Sequence, residues 1–307
     1  MRHPRLTPVG QAAFRGDSVA DPAARADSPP LIAVAHGSKD PRAAATVSEL
    51  LAAVRALSPG LDVRAAFLDH CAPALGQVLG SVDGGSAVVV PLLLTAAFHS
   101  KTDIPAQLAA AAAAHPGRQR QDVVSADTLG PHPLLLRALE RRLAEAGVPV
   151  GDPAARAATS VVLAAAGSSD PAANATVAAL AERWTRERGW RAVVPGYASA
   201  AAPAPAEAVR ALRAGGHQNV VVATYLLSPG YFADKIAAGA AAAGASAVSP
   251  VLGAAPEVAE VVLGRYAAAR RIEAAARAQS FASTGRSQDS ARRIVTSRLG
   301  NCFTGGN

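Results

Sequence analysis

The chain carries the same unit twice, and no other feature narrows its fold as much. Residues 160–171, Ser-Val-Val-Leu-Ala-Ala-Ala-Gly-Ser-Ser-Asp-Pro, match residues 30–41, Pro-Leu-Ile-Ala-Val-Ala-His-Gly-Ser-Lys-Asp-Pro, at an offset of 130. Gly37, Ser38, Asp40 and Pro41 recur as Gly167, Ser168, Asp170 and Pro171. Thr46-Val47 recurs as Thr176-Val177, Pro73 as Pro203, and Leu129-Gly130 as Leu252-Gly253. Two homologous halves are the simplest reading of self-similarity on this scale.

Each half opens as strand, tight loop and helix. Leu31–Ala35 is an apolar run of strand length that stops at His36-Gly37-Ser38. After Asp40-Pro41, residues Val47, Leu50, Leu51, Val54 and Leu57 recur at helical spacing, so one apolar stripe is expected over about 42–57. A second strand is expected over 62–67 and a third over Ser86–Leu94, with helices after Pro73 and over about 104–114. A fourth strand over 122–125 and a helix to about Ala146 complete a βαβαβαβα unit. The expected fold is therefore α/β: two tandem homologous domains, each a small, mostly parallel sheet flanked by helices on both faces. The boundaries read as a disordered extension over 1–29, repeats over 30–146 and 159–270, an Ala- and Pro-rich linker over 147–158, and a basic disordered tail over 271–307.

Ligands of open parallel sheets bind outside the carboxyl ends of the strands. His36 follows the first strand and His99 follows the third, so both are expected on one rim. The second half lacks both. Ala166 stands where His36 stands, and Tyr231 or Phe232 stands where His99 stands, the register there being left open by a short indel. Packing residues would be lost independently, whereas joint loss fits a site kept in one half. Asp40 persists as Asp170 in the half without histidines, which fits a helix N-cap, and Ser38 persists as Ser168 in the same way. Asp69, His70 and Cys71 end the second strand at the same rim. All three types can ligate metal, but adjacent residues rarely converge on one ion.

Composition excludes several functions. The formal net charge is +7, yet residues 30–264 balance 18 basic against 18 acidic groups, and the excess lies in the tail. No basic patch on the folded body is implied, so nucleic acid is not an expected partner. Two cysteines, Cys71 and Cys302, make neither a disulfide framework nor an iron–sulfur cluster. No long apolar run suggests a membrane span, and the start, with Arg2 and Arg5, lacks an apolar secretory core, so a cytoplasmic protein is expected. Gly-x-Gly-x-x-Gly after a strand, Gly-x4-Gly-Lys-Ser/Thr and Gly-x-Ser-x-Gly are all missing, so neither nucleotide nor hydrolase chemistry is indicated.

His-Gly-Ser-x-Asp-Pro at 36–41, together with Val-Val-Pro-Leu-Leu-Leu at 89–94 followed by His-x3-Asp-Ile-Pro at 99–105, resembles the sirohydrochlorin chelatases, relatives of the cobalt-inserting chelatases of cobalamin synthesis. The resemblance covers roughly residues 31–264. It implies insertion of a divalent metal, Fe²⁺ first and Co²⁺ or Ni²⁺ as alternatives, into sirohydrochlorin, with no nucleotide or organic cofactor. It assigns metal binding and proton removal to His36 and His99, since neutral imidazole suits both tasks. Some chelatases of this fold add an acidic ligand, for which Asp69 is the candidate. Lys39, Arg42 and Lys101 flank the motifs and are candidates to pair with substrate carboxylates. A cobalt-inserting enzyme, a non-turning-over metal or tetrapyrrole carrier and a degenerate paralogue are the alternatives. The intact histidine pair of the first half speaks against the last.

Overall fold

The computed structural model describes residues 28–82, 86–96, 102–113 and 123–275. Leu31–Ala35 (β1), Val63–Phe67 (β2), Ala87–Pro91 (β3) and Val123–Ser125 (β4) form one sheet in the order β2-β1-β3-β4. Thr159–Ala165 (β5), Ala192–Tyr197 (β6), Asn219–Tyr225 (β7) and Ala247–Val248 (β8) form the second in the order β6-β5-β7-β8. Every pairing is parallel, so both sheets put their strand carboxyl ends on one rim. The duplication read from the sequence is thus a duplication of topology.

Helices Pro41–Leu57 (α1), Leu75–Gly80 (α2), Ile104–Ala113 (α3) and Pro133–Glu145 (α4) cover the first sheet. Pro153–Ala158 (α5) occupies the connection that the sequence reading left as a linker. Its start is set by Asp152, whose carboxylate accepts the Ala154 N–H at 2.9 Å, followed by Pro153 at the first helical position. Pro171–Arg188 (α6), Pro205–Ala214 (α7), Tyr231–Ala242 (α8) and a last helix over 256–275 (α9) belong to the second sheet.

Strand residues alternate between two environments. Leu31, Ala33 and Ala35 of β1 and Val161, Leu163 and Ala165 of β5 point into one continuous core shared by both halves. Ile32 and Val34 face a smaller cluster with α2 and α3, and Val162 and Ala164 face its counterpart under α7 and α8. The shared core takes the buried faces of α1, α4, α6 and α9, including Leu50, Leu139, Trp184 and Val258. Polar contacts reinforce that seam. Glu140 accepts from Trp184 Nε1 at 3.1 Å and from both Arg188 Nε and Nη2 at 2.6 Å. Glu257, 8% exposed, takes a two-pronged contact from Arg141. The two rims face one another across this seam, and the cleft between them is the largest consequence of the fold.

Candidate functional site

The first rim is built by the turn after β1. Backbone pairing continues past the strand: Ala35 O accepts the Leu68 N–H at 3.0 Å, and His36 O accepts the Asp69 N–H at 2.9 Å. Gly37 then turns with φ +91°, and a Cβ there would sit 1.8 Å from the Asp69 carbonyl oxygen. Only glycine fits so close an approach. Ser38 Oγ accepts the Asp40 N–H at 3.1 Å, and Asp40 caps α1 by accepting the Arg42 N–H at 2.9 Å. The second half repeats both bonds with Ser168 and Asp170 at 3.0 and 2.9 Å. These serines and aspartates therefore shape the turns in both halves.

A cleft of about 740 Å³ lies between the two rims, within the range of small-molecule sites. His36, Lys39 and His70 line it from the first half, and Ala166, Tyr231 and Phe232 from the second. His36 Nδ1 lies 3.1 Å from the Gly37 carbonyl oxygen. A carbonyl only accepts, so this contact calls for a proton on Nδ1, and in the neutral ring the lone pair then falls on Nε2. That is the form of imidazole able to bind a borderline divalent metal or take up a proton.

The other expected residues fare differently. His99 and Lys101 lie outside the described residues. Arg42 does not line the cleft: its guanidinium bridges Asp40, at 2.6 Å, and Asp234 at the start of α8, also at 2.6 Å. These carboxylates raise the Arg42 pKa further, and the Arg42 contact holds Asp40 below the usual carboxylate range. Arg42 is a tie between the halves rather than a group presented to a ligand. The Asp69 side chain is 64% exposed; Oδ1 accepts the His70 N–H at 2.7 Å and Oδ2 lies 3.3 Å from His70 Nε2. It is not part of the cleft wall. Among the described residues, no group of three or more His, Cys, Asp or Glu side chains is placed to hold a metal ion.

His70 is the residue that adjacency arguments undervalue. Its φ is +59°, so the chain reverses there, and His70 reaches the cleft while Asp69 stays outside it. Its ring centroid is 6.5 Å from that of His36, with the planes tilted by 44°. The repeat contained the signal: the counterpart of His70 is Ala200, with φ +58°. A third histidine is therefore also absent from the second half.

The second rim carries side-chain hydrogen bonds that the matching residues of the first cannot make. Asn174 accepts the Ser168 N–H at 3.0 Å and donates to Ser168 O at 2.7 Å, while Tyr197 OH donates to Asn174 O at 2.9 Å. Ala44 and Phe67 hold the matching places in the first half, and both line the cleft. Tyr225 OH donates to Leu94 O at 3.1 Å and joins the halves at the third strands. Gly130 packs into that junction, where a Cβ would lie 2.2 Å from Leu94 O. Burial keeps the Tyr225 hydroxyl protonated.

Two parallel four-stranded sheets facing each other across such a cleft make a chelatase-type α/β fold. SirB from Bacillus subtilis, solved with Fe³⁺, superimposes with a TM-score of 0.66 at 23% identity, over 78% of this chain and 94% of that one. CbiX, described as the terminal enzyme of sirohaem biosynthesis in denitrifying bacteria, gives 0.56 at 25% identity, over 78% of this chain and 99% of that one. Within that class the chain belongs to the CbiX family, whose family model matches residues 30–146 and again 160–269. Two curated relatives come from Priestia megaterium. A sirohydrochlorin cobaltochelatase is 27% identical over 210 residues, 67% of this chain and 66% of that protein. A sirohydrochlorin ferrochelatase is 26% identical over 212 residues, 67% of this chain and 76% of that protein. No described helix is long and apolar enough to cross a membrane.

Proposed function

We propose that this protein is a sirohydrochlorin chelatase that inserts Fe²⁺ into sirohydrochlorin towards sirohaem. The observation that carries the reading is His36 on the wall of a cleft whose other wall has alanine at the matching position, with the His70 ring 6.5 Å from it. The reaction exchanges two pyrrole N–H protons for one divalent metal ion, which is a substrate. His36 and His99 bring the metal to the macrocycle face and accept the departing protons, and Lys39 pairs with a macrocycle carboxylate at the cleft wall. Cobalt insertion for a cobalamin precursor is the second reading, favoured by the cobaltochelatase relative, which matches as well as the ferrochelatase does. Imidazole accepts either ion, so the donor set does not decide between them.

The test is anaerobic loss of sirohydrochlorin absorbance with Fe²⁺, Co²⁺ or Ni²⁺ for the wild type, His36→Ala and His99→Ala. Rapid insertion by the wild type and a drop of about 100-fold or more in both variants supports the reading, and the metal ranking chooses the pathway. A wild-type rate no faster than the protein-free reaction would leave a carrier rather than an enzyme. A fast wild type with two unaffected variants would move the site elsewhere.

A further inference from the structure

Among the described residues, four large apolar side chains are exposed: Leu57, Tyr231, Phe232 and Ile272. Leu57 and Ile272 stand singly, away from the cleft. Tyr231, 74% exposed, and Phe232, 38% exposed, are neighbours on the cleft wall, with ring centroids 5.7 Å apart and planes tilted by 58°. Two neighbouring aromatic rings partly exposed on a cleft wall are the kind of apolar surface that a ligand covers.

Their backbone is held firmly. Asp234, in the first turn of α8, is gripped by Arg42 of the first half, and Lys235 Nζ donates to Ala198 O at 2.8 Å. The pair is therefore fixed relative to both rims. Strand registers also locate it in the repeat. Leu31 pairs with Val88, and its counterpart Val161 pairs with Val221, so the third strands correspond at an offset of 133. Carried forward along the chain without a gap, that count makes Phe232 the sequence counterpart of His99. The two walls thus differ in kind: imidazoles and a lysine on one, aromatic rings on the other.

We propose that Tyr231 and Phe232 form a stacking platform that takes one face of the tetrapyrrole, leaving the opposite face turned towards His36. The proposal deepens the chelatase reading and rests on it. A flat conjugated ring gains most from aromatic surface laid against its face. Metal enters through a face, so covering one face leaves the other as its route. The platform makes that choice, and it selects planar tetrapyrroles over flexible linear ones of equal charge.

The experiment titrates metal-free sirohydrochlorin into wild type, Tyr231→Ala, Phe232→Ala, the double alanine variant and a Tyr231→Leu/Phe232→Leu variant, following pigment absorbance, with thermal melting of each protein. Each single alanine variant is expected to bind about tenfold more weakly and the double variant about 100-fold, with melting temperatures near wild type because both side chains are exposed. The leucine pair, which keeps apolar area but loses the rings, should fall between wild type and the double alanine variant. A double alanine variant that binds as tightly as a binding-competent wild type overturns the platform and leaves the chelatase reading standing. A wild type that does not bind sirohydrochlorin overturns the chelatase reading and the platform with it.

Discussion

Replacing Gly37 by alanine should damage the protein in two separable ways, and the repeat supplies the control. At φ +91° a Cβ costs about 1–2 kcal/mol by itself. The added atom would lie 1.8 Å from Asp69 O, so the β2–α2 turn must move, at about 1–3 kcal/mol more. Together these lower the melting temperature by roughly 5–15 °C for a chain of this size. Gly167→Ala meets nearly the same obstacle, with φ +83° and a Cβ 2.0 Å from Ser199 O, so its melting temperature should fall by a similar amount. Activity separates the two. The Asp69 turn pairs with His36 O and carries His70 into the cleft, and a displacement of about 1 Å there should cost roughly 100-fold in insertion rate. Behind Gly167 stand Ser199 and Ala200, so its rate loss should be at least about tenfold smaller. The assay is differential scanning calorimetry beside anaerobic metal insertion, both measured on the same preparations. Equal rate losses in the two variants, or a fully active Gly37→Ala, would refute an asymmetric site organised by the first-half turn.

Two further outcomes follow from the same geometry. His70 holds a left-handed backbone that glycine adopts freely, so His70→Gly should be up to about 1 kcal/mol more stable than wild type yet slower in metal insertion; a stable variant with unchanged rate removes His70 from the chemistry. Glu257 has its pKa lowered, first by the Arg141 hydrogen bonds, so the stability it contributes is fully present above its ordinary value near 4.5 and is lost as pH falls through the depressed value. Glu257→Gln should therefore be about 1–3 kcal/mol less stable than wild type at neutral pH, with the gap closing below about pH 4 in urea melts; a gap independent of pH would mean that charge pairing is not what Glu257 supplies.

Much of this was legible because it was local or periodic. The strand-turn-helix openings, the parallel architecture and the duplication depend on spacing that one sequence displays. The caps at Asp40 and Asp170 were legible because a residue type and a following proline suffice to specify them. What escaped was decided by a reversed backbone or by distant residues. Nothing about His70 in isolation shows that its φ is positive, and so the rule that adjacent residues rarely converge on one ion left Asp69, not His70, as the candidate. Arg42 looked available to a ligand because Asp234, its partner, lies 192 residues away in the chain. Helix α5 was missed because an Ala- and Pro-rich stretch reads as a linker until the Asp152 cap is noticed.

The continuous core between the sheets has one more consequence. Had two separate copies of a half associated about a twofold axis, every substitution would appear on both walls of the cleft at once. A histidine gained on one side would be a histidine gained on the other, and no wall could become an aromatic surface while its mate stayed basic. Two halves in one chain are free of that constraint while sharing one core. The seam lined by Leu50, Trp184 and Val258 holds the two halves together, and freedom from symmetry lets the two sides of the cleft differ independently.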